Sequence, residues 1–413
     1  MAPAMSAERP KFNKALLPIF LIVAVDVLGL TIILPLLPFY AERYGATPQT
    51  VGFLVTTYAL CQLIAGPLLG RLSDRHGRRP WLIVSQAGTF IGFVILGQAH
   101  TLFWIFFSRF LDGITAGNLS LAQAYISDVT APEERAKSFG VIGIAFGLGF
   151  LIGPALSGFL SQYNYAYPAY AAACLSFTSI LCTWFLLPRV KPHAEEDGAA
   201  GPGGKRLALL DWGAYLKYFE RPGLGATLAE FFLFCLMFSL FISGFALFAE
   251  RRFTVAGGRP FGPKEVGYLY AYSGLLGVII QGGLLGRLVK RFGERALARA
   301  GFLSAAVGLS ALAFITHVPL LVPVFTATAF GTGVLRPALT SLITRAADKR
   351  EQGVVLGLTQ SLNSIAQILS PLLAGFLIGR GQLGAWALIG AGVSLFGFLM
   401  IFRAASGPRP AAG

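Results

Sequence analysis

The stretch ALLPIFLIVAVDVLGLTIILPLLPFY, residues 15–40, carries a single charged group, Asp26, and stretches like it recur to the end of the chain. A helix needs about 20 apolar residues to cross roughly 30 Å of hydrocarbon, and inside a bilayer only helices or closed barrels satisfy their own backbone. The alternation of apolar and polar residues that marks a barrel strand is missing from this sequence. Apolar runs and their polar or Gly/Pro breaks place helices over 16–40, 51–70, 80–98, 101–127, 138–160 and 166–187. A second set falls over 223–249, 265–286, 296–316, 319–341, 353–376 and 383–402. The expected fold is an all-α membrane protein of twelve transmembrane helices. With 55% hydrophobic and 13% charged residues and a mean hydropathy of +0.67, the chain has too little polar surface for a water-soluble domain of its length.

The formal charge is +14, yet the basic residues form no soluble face of the kind that binds nucleic acid; they sit between the helices. Arg9, Lys11 and Lys14 precede the first helix, Arg71, Arg75, Arg78 and Arg79 follow the second, and Arg135 and Lys137 follow the fourth. The segments 189–221, 287–299 and 345–350 continue the series. These are the N-terminus and the even-numbered loops, so the positive-inside rule puts both termini in the cytoplasm, with the chain multi-pass in the cytoplasmic (inner) membrane. The loop after the seventh helix, with Arg251, Arg252, Arg259 and Lys264, is the exception. The length of the first helix and Asp26 within it argue that it is retained rather than cleaved as a signal. Cys61, Cys174, Cys182 and Cys235 lie inside apolar spans without metal-ligand spacing and read as packing residues.

Residues 188–221 break the hydrophobic pattern with Pro, Gly and charges, then end in a patch whose Trp212, Tyr215 and Tyr218 suit a membrane surface. They divide the chain into an N-terminal six-helix bundle, 1–187, a cytoplasmic linker, 188–221, and a C-terminal six-helix bundle, 222–413. The two bundles are related in sequence. GPLLGRLSDRHGRRPWLIVSQAG aligns with GGLLGRLVKRFGERALARAGFLS, which maps Gly70 onto Gly286 and Gly77 onto Gly293. GPALSGFL at 153–160 echoes SPLLAGFL at 370–377. Parallel six-helix repeats are an arrangement used by transporters, which place the substrate at the midplane between the halves.

The loop GRLSDRHGRR, the helix-4 stretch RFLDGITAGNLSLAQAYISDVTAPEERAKSFG and the glycine pattern of helix 5 resemble the major facilitator superfamily. The resemblance covers nearly the whole chain and is nearest to the drug:proton antiporters with twelve helices, the group of the tetracycline efflux proteins. It implies that the first of these loops is a gating latch, in which Asp74 lies against the N-terminal end of helix 11, where the helix dipole favours an anion. Asp74, Arg75, Arg78 and Arg79 can make charge-assisted bonds across the halves, with Gly70 and Gly77 allowing the tight turn and Asp128 and Arg135 joining the network. Alternatively the arginines fix topology by binding lipid phosphate. The second copy has Val289 and Lys290 in place of Ser73 and Asp74, which makes its latch weaker or differently wired.

Helix 5 carries Gly140, Gly149, Gly153, Pro154 and Gly158 at the spacing of the antiporter motif, with Ser157 departing from glycine. Small residues let helices approach closely and a proline bends them, so this face can slide or seal against a helix of the other half. Helix 11 keeps Pro371 and Gly375 but has Ala366, Ser370 and Ala374 at the matching positions, so only the N-terminal half carries the export signature.

Ionisable groups inside a membrane are functional candidates by default. Asp26 lies near the middle of helix 1, where a carboxyl can bind and release protons or act as a structural hydrogen-bonder. The resemblance supports proton coupling, since tetracycline exporters have an acid in a similar frame with Gly29, Pro35 and Pro38. Arg109 and Asp112, three apart on helix 4, share a face and can neutralise each other, and Arg109 matches an arginine that related antiporters use in proton coupling. Arg336, just before Pro337, either pairs with Asp26 or Asp112 across the cavity or receives an anionic substrate. Glu230 lies closer to the cytoplasmic end of helix 7, where it can snorkel. Tyr58, Gln62, Asn118, Gln123, Gln281, Gln360, Asn363 and Gln367 supply polar contacts among many phenylalanines, a mixture that suits amphipathic organic compounds. Where tetracycline exporters place acids in helices 3 and 9, Gly92 and Ala305 stand here, which puts transport of metal-tetracycline in doubt.

The expected function is proton-coupled export of an amphipathic drug or metabolite by alternating access, by a monomer whose partners are that small molecule, protons and the lipid bilayer. An organic-anion importer or facilitator on the same fold is the alternative. An enzyme is disfavoured, since His76, His100, His193 and His317 lie at loops or edges and no nucleophile–base pair, metal cluster or cofactor motif is present. A GxxxxGK[ST] phosphate loop, which an ATP-driven pump needs, is likewise missing.

Overall fold

The computed structural model describes residues 16–129, 135–188, 217–221, 223–255, 257–347 and 351–404. The expected span 16–40 is two helices, α1 (Leu16–Ile33) and α2 (Leu37–Arg43), bent by 43° where Pro35 and Pro38 remove backbone donors from the ladder. Thr47 caps α3 (Pro48–His76) through the backbone N–H of Thr50 at 3.2 Å. Gly77, at φ 91°, takes the left-handed conformation that turns the chain into α4 (Arg78–Gly97).

The expected helix over 101–127 is also two pieces, α5 (Leu102–Ile114) and α6 (Asn118–Val129). Ser85 of α4 braces the break: its hydroxyl donates to the Thr115 carbonyl at 2.5 Å and accepts from the Gly117 N–H at 2.9 Å. A side chain from a neighbouring helix thus satisfies backbone groups that the helix itself gives up, as irregular backbone at membrane depth requires. Next come α7 (Arg135–Leu160), α8 (Ala166–Leu186), α9 (Leu224–Arg252) and α10 (Pro263–Ile279). A π-helical turn, Ile280–Leu284, with its Gly-Gly pair, joins α10 to α11 (Leu285–Phe292). The chain ends with α12 (Glu294–Phe314), a 3-10 turn Val318–Leu320, α13 (Leu321–Ala346), α14 (Gln352–Gly379) and α15 (Leu383–Ala404).

Ten rods among the described residues are long and apolar enough to cross a membrane as single spans, and the bent α1–α2 pair makes an eleventh. With α5 and α6, of 13 and 12 residues, occupying the fourth position, the layout is twelve membrane rods, two of them interrupted.

The two sets of six rods meet along α3 with α14 and α7 with α10. At one end of this seam glycines lie against the backbone of the other half: Gly52 against Pro371, Gly375 against Pro48 and Gln49, Gly267 against Pro154, and Gly274 against Phe150. Toward the end bearing the basic loops the seam has parted. Gly70, Gly277, Gly282, Gly283, Gly286 and Gly357 have no heavy atom within 4 Å of the place a Cβ would take. The buried core divides in the same way. One cluster runs across both halves and includes Leu36, Leu54, Phe245 and Leu377, whereas Ile19, Val23, Leu82, Leu121 and Ile126 form a separate cluster in the first half. The molecule is closed at its far end and open at its basic end.

Candidate functional site

Asp26 is the eleventh residue of α1, about 15 Å along the helix, and both its carboxyl oxygens are buried without a hydrogen-bond partner. Ser179 of α8 lies beside it, but donates to the Ile22 carbonyl at 3.5 Å and accepts from the Gln86 amide at 2.8 Å. Asp112 of α5 is close enough to act on Asp26 electrostatically, and the Tyr58 hydroxyl of α3 feels Asp26, Arg109 and Asp112 together. Tertiary structure therefore gathers four of the residues singled out in the sequence into one group.

Within that group Arg109 Nη1 meets Asp112 Oδ2 at 3.1 Å, and both side chains are almost fully buried. The guanidinium also lies over the Phe93 ring, 5.5 Å from its centroid, while its Nη2 is without a partner. Gly92 packs on this pair: a Cβ there would stand 3.2 Å from the Ser108 carbonyl and from Asp112 Cβ. Ala305 is fully buried beside Gly331. At both positions where the resembled exporters have acids, this chain has close packing.

Around the open crevice, Gln62 Nε2 donates to the Tyr58 hydroxyl at 3.2 Å, and Asn118, at the start of α6, keeps a buried Oδ1 without a partner. Gln281 in the π turn and Gln360 on α14 are exposed, while Asn363 and Gln123 are half-buried. Arg336 is exposed and sits over the Phe234 ring at 5.7 Å. It pairs with neither Asp112, which Arg109 takes, nor Asp26, whose oxygens have no partner. Glu230 does not snorkel either: it is 4% exposed and faces a cavity of about 190 Å³ shared with Arg295.

In the basic turn after α3, Arg78 binds Asp74 at 2.5 Å, Asp128 at 2.8 Å and the Ser73 hydroxyl at 2.7 Å. Every one of these partners belongs to the first six rods. Gly77 is the turn residue; Gly70 is an ordinary helical position inside α3, contrary to the expectation that both make the turn, and its carbonyl accepts from Ser73 at 2.6 Å. Arg75 is exposed, and Arg79 bonds the Trp184 carbonyl and lies over its ring. Arg135 opens α7, but its side chain lies outside the described residues. The repeat answers with opposite charge. Gly293, at φ 78°, is followed by Glu294, which binds Arg345 at 2.6 Å and the Ser341 hydroxyl at 3.2 Å.

The helix-5 glycines divide between two neighbours. Gly140 lies in the first turns of α7. Gly149 and Gly153 face Val27 and Thr31 of α1 in their own half, and the Thr31 hydroxyl donates to the Gly149 carbonyl at 2.8 Å. Gly158 faces the backbone of Lys264 across the seam, where the Pro154 carbonyl also meets Gly267. The expectation of a face sealing against the other half therefore applies to Pro154 and Gly158, while Gly149 and Gly153 hold α7 to the helix that carries Asp26.

One feature the sequence reading missed spans the far end. Glu42 of α2 binds Arg251 of α9 at 2.5 Å, and Arg251 also binds Glu250 at 3.0 Å. Glu42, Arg43, Tyr165 and Glu250 line a cavity of about 560 Å³ there. Arg252 donates to the Ile315 carbonyl at 3.1 Å and Arg259 binds Glu265 at 2.5 Å. Two of the four cations of the exceptional basic loop, Arg251 and Arg259, are thus neutralised locally, which lessens the conflict of that loop with its place at the other end from its counterparts.

Two related sets of six rods around a crevice closed at one end, with ionisable groups buried beside it, define a secondary transporter. The chain belongs to the Major Facilitator Superfamily, which its residues 19–288 and 258–413 match. It is 32% identical over 372 residues, 89% of this chain and 90% of the relative, to the tetracycline resistance protein, class G, of Vibrio anguillarum. It is 29% identical to multidrug resistance protein 2 of Bacillus subtilis (strain 168), over 86% of each chain. The solved structure of the human organic anion transporter MFSD10 (TETRAN) shares the fold, with a TM-score of 0.70 at 22% identity over 95% of this chain and 100% of that one.

Proposed function

We propose that this protein exports amphipathic organic compounds in exchange for protons, as a monomer in the cytoplasmic membrane with both termini in the cytoplasm. The basic end is then the cytoplasmic end, and the structure is the inward-open member of an alternating-access cycle in which two six-helix bundles, 1–187 and 222–413, rock about the seam. The observation that carries the reading is the Asp26 carboxyl, buried at mid-depth without an ion pair among the described residues, in one group with Arg109 and Asp112. A buried carboxyl without a partner is stable when it carries a proton, and opening to water on one side or the other lets that proton leave. Asp112 and Arg109 lie within its field, so a proton on Asp26 changes the charge balance of a pair that braces α5 to the bundle. The relatives named for resistance to tetracycline and to many drugs support the direction of transport.

Purified protein in liposomes with an internal pH dye and an imposed substrate gradient tests the reading. Substrate-driven proton movement in the wild type that is lost in Asp26→Asn is the expected result. Saturable substrate flux without proton movement in either protein would replace exchange by facilitated diffusion.

A further inference from the structure

Resting on the exporter reading, we propose that the transported compound is an amphipathic anion: a flat apolar body along the half-buried Phe238 and Phe150, with a carboxylate or similar single anionic group on Arg336, which lies over the buried Phe234. Arg336 is the sixteenth residue of the 26-residue α13, ten residues from its basic end, which is about 15 Å of helix. A guanidinium at that depth is too costly to leave in hydrocarbon, so its exposure means that it faces the water of the crevice. Lipid phosphates lie at the bilayer surface, out of its reach.

No acid among the described residues forms an ion pair with it. Asp112 is taken by Arg109, and Glu230 faces Arg295. Its contact is aromatic, the Phe234 ring at 5.7 Å, and Phe234 stacks on Phe238 at 5.9 Å with the rings 18° apart. Phe238 meets Phe150 of α7 edge-on at 6.4 Å. The row begins at a cation in one half and ends on a helix of the other. A ligand lying along the half-buried Phe238 and Phe150 touches both halves, and only a ligand that binds the two states differently can bias their exchange. Of the other charged groups at this depth, Arg109 and Asp112 cancel. An ammonium group on the ligand would meet Arg336 without compensation, whereas an anionic group gains a charge-assisted, bidentate partner. Exchange of one anion outward for one proton inward also moves net positive charge into the cell, so an inside-negative potential accelerates it.

The test uses three compounds with the same two-ring body, naphthaleneacetate, its primary amide and naphthalene-ethylamine, together with acetate, which has the anion without the body. Calorimetric binding to the purified full chain is measured alongside dye-reported proton movement in liposomes. Naphthaleneacetate is expected to bind about tenfold tighter than the amide or the amine, with acetate not binding. Arg336→Gln is expected to bring the carboxylate down to the level of the amide, with Arg336→Lys in between and both variants unfolding at wild-type temperature. Equal binding of the amine or amide, a preference that survives in Arg336→Gln, or no binding of the carboxylate overturns the proposal. Carboxylate binding through Arg336 without proton movement upholds the anion site and removes exchange. Proton movement driven by the amine as well as by the carboxylate does the reverse.

Discussion

Glu42 and Arg251 meet at 2.5 Å across the far end of the seam, joining the short helix after the first bend to the last turn of α9. They are separated by 209 positions in the chain and are brought together only when that end is closed. The Arg251 side chain is 31% exposed, so the pair is worth about 0.5–1 kcal/mol, up to roughly a fivefold bias toward the closed end. Glu42→Gln is expected to shift the population by that factor toward the state open at the far end. Spin-label distances between the far ends of α3 and α14 measure the shift, and an unchanged distribution would show that the pair has no part in closure.

The glycine contacts make a sharper prediction. At Gly267 and Gly274 a Cβ meets backbone of the other half, which can yield only if the seam parts. Gly267→Val and Gly274→Val should insert and fold, lose transport, and show long distances in the same spin-label pair. Gly392→Val on α15, which packs only within its own half and has nothing within 4 Å, is the matched control and should retain transport. Equal loss in all three would mean that valine harms the helices themselves rather than the seam.

The two turns of the repeat should differ in strength. Arg78 is 14% and Asp128 17% exposed, whereas Arg345 is 68% exposed. A double-mutant cycle on thermal stability with Arg78→Gln and Asp128→Asn should give a coupling of about 1.5 kcal/mol, and the cycle with Arg345→Gln and Glu294→Gln less than about 1 kcal/mol. Helix dipoles act in the opposite sense: Arg78 is a cation at a helix N-terminus, which needs its acids, while Glu294 is an anion there and is favoured without help. Equal couplings would argue that the dipole and exposure do not set the difference.

Outside the membrane, Arg221 binds Glu351 at 2.5 Å and 3.1 Å, and this holds the Glu351 carboxyl below its ordinary value of 4.5. A lowered folded-state value means that the unfolded chain takes up the proton first. The stabilisation is therefore complete above about pH 4.5 and disappears as pH falls through the lower folded-state value. Melting curves should show wild type above Glu351→Gln at neutral pH and the two converging below pH 4.5; a constant gap would rule out the ion pair as its source.

The sequence carried the parts of the site that depend on local geometry. Arg109 and Asp112 are three apart on one helix, and a helix fixes such neighbours wherever it lies. The depth of Asp26 followed from counting along an apolar run. The break at Thr115–Gly117 did not show, because it contains no proline and its backbone groups are satisfied by Ser85, thirty or so positions earlier. The pattern of a motif does not say which glycine carries positive φ: Gly77 does, and Gly70 is helical.

Hydropathy alone determined that the chain is a bundle of membrane rods, and internal similarity determined that the rods form two related sets. Only the tertiary structure decided that Gly149 and Gly153 face α1 while Gly158 crosses the seam, that Arg336 rests on an aromatic row rather than on an acid, and that the far end is closed by Glu42 and Arg251. The physical reason is that burial in lipid is set residue by residue along one helix, whereas contacts between the halves depend on the tilt of one bundle against the other. That tilt is a sum of many small contacts with more than one near-equal solution, which is what lets such a protein rock.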